Sequence, residues 1–171
     1  MRLFLLRHAH AKDTWPDETR ELSPRGVNQI RKLFSTLDNS MFSDVVQIWH
    51  SPYLRAKQSA IEFKRLANIA APLVENKSLR PTDSALSTAK DIAMISSFGG
   101  DLMIVGHNPH LEQLTDLLLG ANIDSCKTTF HKGTLAMFIM AEPPSIANPL
   151  GKWTLSFLIS PCVLTQNGLE I

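Results

Sequence analysis

Cysteine is scarce in this chain. Cys126 and Cys162 are the only two in 171 residues, far apart and without CxxC spacing, which argues against a disulfide framework or a thiolate metal site and reads as two ordinary buried or half-buried thiols. Long apolar runs are also missing. The N-terminal one, "LFLL", is four residues long, follows Arg2 and ends in charge, too short for a signal segment or a membrane span. The expectation is a cytoplasmic protein without membrane contact. Charge of one sign is missing as well: 17 Lys plus Arg stand against 16 Asp plus Glu, so no global basic field points to nucleic acid, and any anion site must be local. No internal repeat, low-complexity tract or charged tail is present, and no apolar excess demands a dimer, so a monomer is expected.

What is present is one core's worth of apolar residues, 44% of the chain, fitting a single domain over 1–171. Short apolar runs alternate with helical periodicity. "RLFLL", "DVVQIWH", the weaker "APLVEN", "DLMIVGH", "TLAMFIM" and "WTLSFLIS" read as strands. "SPRGVNQIRKLFSTL" and "SPYLRAKQSAIEFKRLA" open on Ser-Pro, where Ser accepts an orphan amide bond and Pro has no amide to leave unpaired. A third helix runs through Leu86, Ala89 and Ile92 behind Asp83 or Ser84 as cap. In "NPHLEQLTDLLLG", Asn108 is the expected cap, Pro109 the first position and Gly120 the stop. This alternation predicts a three-layer α/β/α sandwich around a mostly parallel central sheet.

Three of the strong strands end in the same manner: one in Arg7-His8, one in His50-Ser51-Pro52 with Arg55 a turn further on, and one in Gly106-His107-Asn108-Pro109. In open α/β sheets, loops from the carboxyl ends of neighbouring strands converge on the ligand, and helix N-termini there favour an anion. The expected ligand is a phosphoryl group. Two arginines fork onto its oxygens and stay charged at any working pH. A neutral imidazole is a competent nucleophile toward phosphorus, and neighbouring arginines keep it neutral. His8 fits that role, with His107 donating a hydrogen bond or positive charge to the transferred group.

"LRHAHA", "SPYLRAKQS" and "GHNP" resemble the histidine phosphatase superfamily. The short length, "RELSPRG", "SPYLRAKQ" and the late "SPC" resemble its SixA-type phosphohistidine phosphatases. The resemblance implies a phosphoglycerate-mutase-like fold and a phosphohistidine intermediate on His8. It places Arg7, Arg55 and His107 in the phosphate pocket and Arg20 at its mouth, with no metal and no cofactor. It further implies a phosphorylated histidine phosphotransfer domain of a sensor kinase as the partner. Two departures stand out. Ala9 replaces the usual glycine after Arg-His, and alanine restricts the backbone there. No glutamate-rich segment supplies the general acid that phosphoglycerate mutase relatives use. That absence favours a phosphoramidate, whose imidazole leaves more easily than an alkoxide. Asp83 is the nearest candidate acid, against a plain helix cap.

Rival readings remain open at this level. His8-x-His10 and His107-x-x-His110 prompt a metal-dependent phosphoesterase, although bridging aspartates are lacking. Ala9 prompts a weakly catalytic module that only binds a phosphorylated domain. A small-molecule phosphatase of the same superfamily is the third. His10, His50, His110 and His131 are read as non-catalytic.

Overall fold

The computed structural model describes residues 1–122 and 128–162. Among them the chain forms β1 (Arg2–Arg7), α1 (Pro24–Phe34), β2 (Val45–His50), α2 (Leu54–Leu66), β3 (Leu73–Glu75) and α3 (Ala85–Ile95), then β4 (Asp101–Gly106), α4 (His110–Leu118), β5 (Leu135–Glu142) and β6 (Lys152–Ile159). The strands make one sheet in the order β3-β2-β4-β1-β5-β6. The first four run parallel, and β5 lies antiparallel to both β1 and β6. The mostly parallel sandwich is therefore the observed fold.

Alternation in β1 shows why the sheet is covered on both sides. Phe4 and Leu6 pack with Ile30 and Leu33 of α1 and Ala56, Ala60 and Phe63 of α2. Leu3 and Leu5 pack with Ala89 and Ile92 of α3 and Leu111 and Leu114 of α4. Each fully buried side chain of this size contributes roughly 1.5–3 kcal/mol relative to exposure, so a continuous apolar strand is stable only between two helical layers. No helix among the described residues is long and apolar enough to cross a membrane.

The helix starts follow the sequence in part. Ser23 caps α1, its Oγ accepting from the Gly26 N–H at 3.1 Å, and Gly120 follows α4 with φ +70°. Ser51-Pro52 does not open α2 directly: Tyr53 is the N-cap and the helix begins at Leu54. Asn108 is not the cap of α4 either. Pro109 occupies that place, while the Asn108 amide donates to Glu112 at 2.6 Å and to the Phe130 carbonyl at 3.0 Å. These bonds turn the side-chain amide away from the helix amides, and Asn108 Oδ1 accepts from no helix N–H. Asp83 does not cap α3: its Oδ2 accepts from the Arg80 N–H at 2.9 Å, and Ser84 is the N-cap without a side-chain bond. Cys162 is half-buried, its Sγ 3.0 Å from Ser160 Oγ. Cys126 lies outside the described residues.

Candidate active site

β1 and β4 are parallel neighbours with Arg7 opposite Gly106, so His8 and His107 leave the sheet side by side. Their ring centroids are 4.8 Å apart. His50 of β2 pairs with Val105, and the chain then turns through Ser51 and Tyr53 into α2, which delivers Arg55 from its first turn. The Arg55 Nε–H donates to His8 Nε2 at 3.3 Å. The His8 Nδ1–H donates to the carbonyl of Ala9 at 2.7 Å. These two bonds specify one tautomer, with the proton on Nδ1 and the lone pair of Nε2 turned toward the guanidinium.

Ala9 carries no strain. It is absent from the positive-φ positions, its Cβ lies in the apolar layer with α1 and α2, and its N–H donates to Ser59 Oγ at 3.1 Å. A glycine is instead required at Gly26, where a Cβ would stand 2.2 Å from the His10 carbonyl oxygen. That contact seats the first turn of α1 against the loop after β1.

Both imidazoles are held neutral. Burial first, then Arg55, Arg7 and Lys132, push His8 down to about 3, against a partial lift from its bond to Ala9. Burial first, then His8 and the two arginines, push His107 down to about 2. At neutral pH His107 therefore offers one N–H and one lone pair, and the expected positive charge is not available to it before substrate binds. Arg7 Nη1 donates to the Phe130 carbonyl. Arg7 Nε, both ring nitrogens of His107 and Thr134 Oγ1 are buried without a partner among the described residues. Buried polar groups are normally bonded, and a phosphoryl oxygen is the acceptor that such a set of donors suits.

The depressed histidines also set a pH dependence of stability. The unfolded chain takes up protons on His8 and His107 below about pH 6.5 while the folded chain does not, so stability is full above that pH and declines as pH falls toward 3. Each group removes up to about 1.4 kcal/mol per pH unit in that window. Urea unfolding at pH 7.5 and pH 5.0 is expected to show the loss, with a shallower slope in His107→Ala. Equal stability at the two pH values would contradict the buried neutral pair.

Asp17 is the residue that sequence reasoning missed. Its Oδ2 accepts from Arg55 Nη2 at 3.0 Å and its carbonyl from Arg55 Nη1 at 2.6 Å, while Oδ1 accepts from Arg20 Nη1 at 3.1 Å. One carboxylate thus aims the Arg55 fork and connects Arg20 to it. Arg20 also bonds the Lys12 carbonyl at 2.7 Å, so it stands behind Asp17, at one remove from His8. The only signal in the sequence was the three-residue spacing from Asp17 to Arg20. Tyr53 was missed too: its ring lies 4.8 Å from Arg55 Cζ and edge-on to His107 at 5.1 Å.

The remaining histidines have other partners. His10 Nδ1 meets Ser23 Oγ at 2.9 Å. His110 donates from Nδ1 to the Asp83 carbonyl at 3.1 Å and accepts on Nε2 from Thr88 at 3.0 Å. His50 donates to the Ser51 carbonyl at 2.8 Å, and His131 is exposed. His8-x-His10 and His107-x-x-His110 therefore do not converge on a shared ion. The Asp83 carboxylate is turned to the Arg80 amide rather than to the imidazole pair.

A doubly covered α/β sheet thus brings Arg-His from its first strand, a second arginine from a following helix and a facing histidine together in one compact site. The family model of the histidine phosphatase superfamily, branch 1, matches residues 3–86. Arg7, His8 and Arg55 fall inside that match and His107 beyond it. No curated protein sequence matches. Among solved structures, the fold is similar to the protein histidine phosphatase SixA complexed with tungstate, with a TM-score of 0.81 at 21% identity, covering 96% of this chain and 100% of that one. It is also similar to a putative phosphohistidine phosphatase SixA from Agrobacterium tumefaciens, with a TM-score of 0.72 at 21% identity over 94% and 97%. A putative alpha-ribazole-5'-P phosphatase from Escherichia coli shares the fold with a TM-score of 0.68 at 19% identity over 94% and 98%.

Proposed function

We propose that this protein is a metal-independent phosphatase that works through a phosphohistidine on His8 and removes the phosphoryl group from a phosphohistidine on the histidine phosphotransfer domain of a sensor kinase. The observation that carries the reading is the His8 tautomer: a buried, neutral ring with Nδ1–H tied to the Ala9 carbonyl and the Nε2 lone pair facing the Arg55 guanidinium. Nε2 attacks phosphorus, the bond from phosphorus to the substrate imidazole breaks, and the departing nitrogen takes a proton from solvent. Arg7 and Arg55 hold the equatorial oxygens through this transfer, and His107 offers its N–H. Water then forms the new oxygen–phosphorus bond, releasing orthophosphate and returning the lone pair to Nε2.

The substrate class follows from the proton inventory. Expelling an alkoxide calls for a positioned acid, yet both imidazoles are neutral and Asp83 faces Arg80. A phosphoramidate places the least demand on such a site. The reading carries with it a cytoplasmic monomer in a two-component relay. Its test is orthophosphate release from a phosphorylated histidine phosphotransfer domain in EDTA, beside a simple phosphomonoester. Faster release from the phosphodomain supports the proposal. Preference for the ester moves the assignment to a small-molecule phosphatase, and loss of activity in EDTA removes the metal-independent mechanism.

A further inference from the structure

One cation beside the pocket, Lys132, bears on the site only as the last and smallest of the influences on His8. The Gly133 N–H donates to the carbonyls of both Arg7 and His8, each at 3.2 Å, and the Phe130 carbonyl takes Arg7 Nη1. Gly133 has φ +81°, so the chain turns there and holds exposed Lys132 at the apex of a bend pinned to the Arg7-His8 pair. The first turn of α1 closes on the same place. His10 N–H donates to Gln29 Oε1 at 2.8 Å, and a Cβ on Gly133 would lie 3.6 Å from Gln29 Cβ. Lys132, His10 and Arg25, the second residue of α1, therefore share one rim of the pocket.

The Lys132 ammonium stands among guanidiniums. Burial first, then Arg7, Arg20, Arg25 and Arg55, hold the Lys132 ammonium below its ordinary value, and the His10 ring is lowered by burial and then by Lys132, Arg25 and Arg20. No carboxylate among the described residues pairs with Lys132. Near Arg55 the balancing anion is Asp17, and near Arg7 it is Glu112. The oxygens of a phosphoryl group face Arg7 and Arg55, each already beside one carboxylate. Lys132 is left without a carboxylate partner among the described residues, and a second anion of the substrate would sit against it.

We propose that Lys132, on the rim it shares with Arg25 and His10, receives an acidic side chain flanking the phosphohistidine of the partner, so that phosphodomains with an acidic face around their phosphorylated histidine are the preferred substrates. This rests on the phosphoprotein reading above. A rim charge of this kind acts on encounter and docking, with little effect on the chemical step.

The experiment compares Lys132→Met and Lys132→Glu with the native protein on two phosphoryl donors: a phosphorylated histidine phosphotransfer domain carrying an acidic residue beside its histidine, and inorganic phosphoramidate, which has no second anion. On the phosphodomain, kcat/KM is expected to fall about tenfold in Lys132→Met and further in Lys132→Glu, through KM, with a weaker salt dependence. On phosphoramidate, both variants should stay within about twofold of native, since the group lies outside the phosphoryl pocket. An equal loss on both donors would place Lys132 on the phosphoryl group itself and overturn the inference, as would no loss on either. If the native protein hydrolyses phosphoramidate but no phosphodomain, the phosphoprotein reading fails and takes this inference with it.

Discussion

Replacing His8 by alanine is expected to reduce phosphate release on the order of 10⁴-fold, the scale seen when a nucleophile is removed and only binding and electrostatic stabilisation remain. The site predicts more than a loss of rate. In the native protein a phosphodonor labelled in its phosphoryl group should leave a transient label on the chain, acid-labile and alkali-stable as a nitrogen–phosphorus bond is, whereas His8→Ala should show none. Arg7 and the Asp17-held Arg55 do not depend on His8 for their placement: Asp17 fixes Arg55 through two other nitrogens, and Phe130 fixes Arg7. The variant should therefore still bind orthophosphate with an affinity within severalfold of native. Retention of more than about a tenth of native activity would sink the covalent mechanism. A parallel loss of orthophosphate binding would mean that His8 serves the pocket rather than the chemistry.

The second large effect concerns Arg55. Each of its three nitrogens has a partner, Nε at His8 and the fork at Asp17, which leaves a second N–H on each fork nitrogen for the phosphoryl oxygens, and its side chain is 7% exposed against 41% for Asp17. Arg55→Ala is expected to lower kcat by about 10²–10³-fold, the range for loss of one pre-aimed charge donor at a developing charge. Arg55→Lys should recover only a small part of this, because an ammonium is a point charge and cannot face His8 and hold the Asp17 carboxylate at once. Stability should hardly change. Asp17 is half-exposed, and screened pairs of this kind contribute about 0–1 kcal/mol. Calorimetric melting of the two variants separates the cases: a large fall in rate with a small shift in Tm is the expected result, and a large fall in Tm with a proportionate fall in rate would make Arg55 a structural residue only.

Much of the site was legible because it sits at strand ends. Arg7-His8 and Gly106-His107 each follow an apolar run that only a buried strand explains, and parallel β1 and β4 then bring the two histidines together. The sequence was less informative wherever a side chain had a choice of partner. Asn108 has the composition of a cap, but its amide donates to Glu112 and to the Phe130 carbonyl, an orientation set by residues the local sequence does not name as partners. Asp83 reads as a cap or an acid, yet the nearest unpaired donor is the Arg80 amide three residues back. Ala9 reads as a departure, and the backbone there adopts an ordinary conformation.

The sequence by itself determined the layering and the mostly parallel sheet, and it set Arg7, His8, Arg55 and His107 at or just after strand ends, because hydrophobic period and chain direction are local properties that tertiary context only sums. The tertiary structure alone decided the protonation of the histidines, since burial and the field of guanidiniums from distant segments set it. It alone decided the aim of Arg55, since Asp17 is 38 residues away. It alone placed Lys132 at the rim, since the Gly133 bonds to Arg7 and His8 close a contact across more than a hundred residues. Charge and hydrogen-bond geometry depend on what the fold brings within a few ångströms, and that distance is not written in the order of the chain.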